Sequence, residues 1–116
     1  MKAPVILGVL LLASTASAQS QRWKAGIALI PDKSMQNCRE QPQMEWVFSS
    51  EGNTFLAASG NTKLSMPMAA DGSVKHNFRG NVGSTTFETE LVGNAKTKQL
   101  EFYNITYSCR YRVVPK

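Results

Sequence analysis

Histidine occurs once in this chain, at His76, and cysteine only twice, at Cys38 and Cys109. A tetrahedral zinc site draws its ligands from several such side chains, so none is expected here. No G-x-S-x-G element, H-E-x-x-H pair, EF-hand loop or phosphate-binding loop is present. The hydrolase, metalloprotease, calcium and nucleotide chemistries that need those spacings therefore have no local signature. Basic residues outnumber acidic ones, 13 to 8, but form no run. Scattered charge of this kind keeps a domain soluble, and no nucleic-acid partner is expected. The same basic balance suits contact with acidic envelope polymers or anionic lipid. The longest apolar stretch, Val5 to Leu12, is too short to span a bilayer. Linkers, low-complexity segments and heptad patterns are absent, and no cofactor is expected.

Met1 to Ala18 reads MKAPVILGVLLLASTASA. A basic start at Lys2, a short apolar core and a small-residue ending, Ala16-Ser17-Ala18, form the pattern of a secretory signal peptide. The compact pattern with one Lys points to a bacterial source and a periplasmic or secreted location. Cleavage before Gln19 would leave 98 of the 116 residues and take the formal charge from +5 to +4. A chain of that length is one domain, here residues 19–116. At this size the core alone gives thin stability. Export would place Cys38 and Cys109 where thiols oxidise, and two cysteines allow one intramolecular bond. Free thiols are the alternative. The bond would stabilise by roughly 4 kcal/mol in the chain-entropy view.

What the sequence has in quantity is alternation. Trp23, Ala25, Ile27 and Leu29 alternate with Lys24, Gly26 and Ala28. The same period of two runs through Met44, Trp46 and Phe48, through Leu64, Met66 and Met68, and through Val74, His76 and Phe78. It returns in Phe87, Thr89 and Leu91, and in Tyr107, Cys109, Tyr111 and Val113. Such alternation marks half-buried strands of an antiparallel sheet. Turn signals at Gly52-Asn53, Gly60-Asn61, Asp71-Gly72, Gly80-Asn81 and Gly93-Asn94 recur at strand-length spacing. Asp71-Gly72 reads as the sharpest hairpin, of type I′.

Strands are predicted near 21–30, 43–50, 53–59, 62–68, 73–79, 84–92, 98–104 and 106–114. The fold class is all-β: one antiparallel meander of seven to eight strands, closed or nearly closed into a barrel, with a β-sandwich as the alternative. Pro67 has no N–H to donate, which places its strand at an edge or a bulge. The core set changes parity between Phe102 and Ile105, which a bulge or a turn would explain. The segment 31–42, PDKSMQNCREQP, breaks the pattern and reads as a long loop or a one-turn helix. A Cys38–Cys109 bond would bring the N-terminal edge to the C-terminal strand, as barrel closure requires.

Chemistry is sparsely marked. His76, between Val74 and Phe78, is either a general base or a histidine hydrogen-bonded inside the barrel or near its mouth. Glu88 and Glu90 share a face, and a four-residue loop at 94–97 would set Glu90 opposite Glu101. Facing carboxylates suit acid–base work, but these alternate with core positions and read as a solvated face paired with Arg110 and Arg112. The chain has ten aromatic residues, mostly on inward positions. They either fill the core or, with Met44, Met66 and Met68, line a cavity. Trp46, Met66, Phe78 and His76 are the candidate ligand-binding residues, with no catalytic residue assigned. Asn104-Ile105-Thr106 is a glycosylation sequon that matters only in eukaryotic secretion.

The whole chain resembles the small exported β-proteins of proteobacteria. The shared outline is a signal peptide, a first strand led by Trp23, Cys38 soon after it, an ADGSV hairpin at 70–74 and the Cys109-Arg110-Tyr111 ending. That resemblance implies a periplasmic or secreted all-β protein and brings no active site with it. Ala58-Ser59-Gly60 is similar to the Ser-Gly loop of periplasmic lysozyme inhibitors, although the Trp-ended aromatic segment and the Lys-Gly pair of those proteins do not follow. The expected function is non-catalytic binding of a small apolar ligand or of a protein partner. An enzyme inhibitor of the lysozyme-inhibitor type, or a small hydrolase, is the alternative.

Overall fold

The computed structural model describes residues 22–82 and 84–116, and the predicted signal peptide lies outside them. Eight antiparallel strands form one sheet that curls into a nearly closed barrel. They are β1 (Arg22–Leu29), β2 (Trp46–Glu51), β3 (Thr54–Ser59), β4 (Thr62–Pro67), β5 (Ser73–Val82), β6 (Thr85–Asn94), β7 (Gln99–Asn104) and β8 (Cys109–Pro115). The order across the sheet is β4-β3-β2-β1-β8-β7-β6-β5. Each strand pairs with its sequence neighbour except across β4 and β5, and β1 pairs with β8 through Ile27↔Val113 and Leu29↔Tyr111. The first and last strands are thus joined, and the single seam falls in the middle of the chain. No helix among the described residues is long and apolar enough to cross a membrane.

The alternation settles which side chains enter. Ala25, Trp46, Phe48, Phe55, Ala57, Met66, Val74, Leu91, Leu100, Phe102, Tyr111 and Val113 are buried, all on inward positions. Lys75, Arg79, Glu88 and Arg112 alternate with them and face water. On that outer face Lys75 lies 4.0 Å from Glu90, Arg79 3.9 Å from Glu88, and Arg110 3.1 Å from Glu101. Exposed pairs of this kind each contribute little to stability. The expected opposition of Glu90 and Glu101 does not occur. Glu101 stands opposite Val92 and Glu90 opposite Tyr103, because Asn94 pairs with Gln99 and the four-residue loop falls at 95–98, one residue later than expected. Asn94 Oδ1 accepts from the backbone N–H groups of Lys96 and Thr97.

Two further expectations are corrected. Asp71-Gly72 does not close a hairpin. Gly72 has φ of 95°, but Asp71 does not share the positive φ that a type I′ turn needs. Asp71 Oδ1 instead accepts from Ser73 N–H, while Asn94 Nδ2 and Lys96 Nζ donate to the Asp71 and Ala70 carbonyls. The connection is thereby tied to the β6–β7 turn, and β4 and β5 part at the seam. The parity change after Phe102 is a turn over residues 105–108, so Ile105 and Tyr107 are not core but 39% and 48% exposed. Pro67 ends the edge strand β4, where its missing N–H costs no ladder bond.

Candidate ligand cavity

The two ends of the barrel differ. Registers Trp23↔Phe48, Phe55↔Met66, Val74↔Gly93 and Gly93↔Leu100 gather one end, which is filled. Phe48, Phe55, Met66, Leu91 and Leu100 are almost wholly buried there, and Lys98 Nζ lies 5.1 Å from the centre of the Trp23 ring. At the other end meet the start of β2, the end of β5, the start of β6, the end of β7 and the start of β8. Between them is a cavity of about 620 Å³.

Its wall is aromatic. Trp46 stacks on Phe102 with ring centres 4.6 Å apart, and Phe78 meets both edge-on at 6.5 and 6.3 Å. Edge-on and offset stacks are the favourable arrangements of such rings. Phe87 covers Gly80, where an added Cβ would come within 2.9 Å of the ring. Thr89, Asn104 and Tyr111 add polar groups to the lining.

The segment 31–42 forms part of the wall. It begins with a single 3-10 turn, Pro31–Lys33, and then lies against β1 and β8. Ser34 Oγ accepts from Arg110 N–H at 2.9 Å, Met35 N–H donates to Ser108 O at 3.0 Å, and Glu40 Oε1 accepts from Leu29 N–H at 2.9 Å. Tyr111 donates its hydroxyl to Arg39 O at 2.8 Å. The Cys38–Cys109 disulfide fixes the same segment to β8, with Cα atoms 5.6 Å apart, and both half-cystines line the cavity. The bond therefore closes the fold and shapes the cavity.

One buried polar atom of a wall residue lacks a partner among the described residues. Trp46 is 5% exposed, and its indole Nε1 is buried with no hydrogen-bond acceptor among the described residues. A buried donor left unpaired costs about 1–3 kcal/mol. Such groups are rare in folded proteins and call for an explanation.

Of the four candidate ligand-binding residues, the structure brings Trp46 and Phe78 together in the wall and leaves Met66 and His76 outside it. Met66 pairs with Phe55 toward the filled end and is 2% exposed. His76 points inward halfway along β5, opposite Leu91, and stacks parallel to Phe78 with ring centres 6.5 Å apart. No hydrogen bond to its imidazole is found among the described residues. No cluster of three or more His, Cys, Asp or Glu that could hold a metal occurs among them either. Sequence reasoning did not single out Arg39, Gln41 or Asn37, which also line the cavity. They lie in the one stretch without periodicity, where only the position of Cys38 hinted at proximity to β8.

Fold and cavity together define a class: a small antiparallel barrel, solid at one end and hollow at the other, tied by one disulfide. Comparison with known proteins finds no matching family model, no matching curated protein and no matching solved structure.

Proposed function

We propose that this protein is a non-catalytic binding module that takes a small apolar ligand into the hollow end of its barrel. The observation that supports the reading most is the cavity of about 620 Å³ walled by Trp46, Phe78 and Phe102. Its volume lies in the range of roughly 300–1,000 Å³ usual for small-molecule sites, which combine apolar walls with a few placed polar groups. A protein partner would be favoured by a filled core and a projecting 31–42 loop. The cavity and the loop laid along its wall favour the small ligand instead. Work in an oxidising compartment, periplasmic or secreted, fits the disulfide and the leader sequence.

The test uses N-phenyl-1-naphthylamine, a neutral fluorescent probe. Saturable one-to-one binding with quenching of tryptophan emission is expected. Thr89→Phe, which places a ring where a buried side chain borders the cavity, should abolish binding while the β-type circular dichroism persists. No saturable binding by the folded wild type would refute the reading.

A further inference from the structure

Resting on that reading, we infer that the ligand is an apolar organic anion: a single-chain carboxylate whose head is held by Arg39 at the cavity wall and whose body lies against Trp46, Phe78 and Phe102. Among the described residues that line the cavity, Arg39 is the one that carries a formal charge, and no Asp, Glu, Lys or His accompanies it. A cation at the edge of an otherwise uncharged space selects for the opposite charge, and a guanidinium suits a planar carboxylate because its donors form a fork.

Arg39 is also kept available. It forms no ion pair with a carboxylate among the described residues. The adjacent carboxylate, Glu40, accepts from Leu29 N–H instead. The Arg39 backbone is anchored by the Tyr111 hydroxyl on its carbonyl and, one residue earlier, by the disulfide. The charge is thus mounted on a fixed wall while the residue itself stays exposed. The net positive charge, +5 for the full chain and +4 after the predicted cleavage, favours approach of an anion rather than a cation.

Dodecanoate and dodecan-1-ol, both below their micellar concentrations, separate this inference from the broader reading, because they share a chain and differ in the head. Titration calorimetry on the full wild-type protein should show dodecanoate binding about tenfold more tightly, the scale of one charge-assisted hydrogen bond. Arg39→Gln should bring the two probes to near-equal affinity, chiefly by weakening dodecanoate, and Arg39→Lys should restore part of the preference. Equal binding of both probes by the wild type would overturn the anion inference and leave the apolar-ligand reading standing. A preference that survives Arg39→Gln would overturn it as well. Binding of neither probe would sink both. Retention of the wild type on phosphatidylglycerol vesicles, undisplaced by free dodecanoate, would assign the anion to a lipid surface and overturn the inference.

Discussion

The filled and hollow ends of the barrel are written in the same alternation and fold to opposite results. At the filled end Phe48 stacks on Phe55 with ring centres 5.5 Å apart, and Met66, Leu91 and Leu100 close the space between them. Each gains dispersion contacts on all sides, so the end holds itself together by packing. At the hollow end the rings of Trp46, Phe78 and Phe102 line a space instead of filling it. The contacts forgone there are offset by covalent and polar ties: the disulfide, the Tyr111 hydroxyl on Arg39 O, and Ser34 and Glu40 on the flanking strands. The difference teaches that the staple lies where packing is thinnest, and that the void is held open by structure rather than left over from poor packing.

The comparison can be broken most easily at its extremes. Phe55→Ala, at the filled end, should destabilise by about 3–5 kcal/mol, because the cavity left behind cannot collapse. Phe78→Ala, at a partly exposed position beside an existing void, should cost less than half as much. Urea denaturation of both variants measures this, and equal losses would erase the distinction between the ends. Next in size, the double change Cys38→Ser with Cys109→Ser should cost about 2–5 kcal/mol. It should also weaken binding of the naphthylamine probe, since the 31–42 wall loses its anchor. A variant that loses stability but binds as before would show that the staple serves the fold alone.

Gly93 sharpens the account of the filled end. Its φ is 142°, and a Cβ there would lie 2.2 Å from Gln99 O. Both the forced backbone and the fixed neighbour oppose any side chain, so Gly93→Ala should cost about 1–3 kcal/mol from conformation alone. Thermal unfolding checks it. A smaller effect belongs to the hollow end. Replacing Trp46 by benzothienylalanine, which keeps the ring and drops the N–H, should raise apo stability by about 1 kcal/mol by removing the unpaired donor. A fall in melting temperature would mean that the indole N–H has a partner in solution.

The smallest expected effect concerns Asp71 at the filled end. Its carboxylate is held below the ordinary range chiefly by the hydrogen bond from Ser73 N–H. With the folded pKa depressed, its contribution is present above the usual Asp value and fades only as pH falls through the lowered one. An NMR titration should therefore show the Ser73 amide shifting at a pH below that of an unperturbed aspartate. A midpoint at the ordinary value would remove the bond from the account.

Much of the architecture was legible. The period of two and the turn signals together located all eight strands, Pro67 marked an edge or a bulge, and cysteine parity with a predicted leader gave the disulfide. Errors arose where a local signal met a distant competitor. Asp71-Gly72 has hairpin chemistry, yet Asn94 and Lys96 claim the adjoining carbonyls. Tyr107 continues the inward series of β8 by parity, yet the 105–108 turn takes it out. The candidate site was half legible: Trp46 and Phe78 share the cavity, while Met66 and His76, of equal standing by alternation, do not line it.

Alternation states which face a side chain takes, because successive residues of a strand point oppositely whatever the neighbours are. By itself the sequence therefore determined an all-β chain, most of the inward set, the outer charged face and the one intramolecular bond open to Cys38 and Cys109. It could not state how high along the barrel each inward residue stands relative to those on other strands, since that depends on register. Only the tertiary structure decided that the seam lies between β4 and β5, that one end is packed and the other hollow, and that Arg39 borders the cavity left there. Those outcomes rest on contacts between residues dozens of positions apart, and no local pattern encodes them.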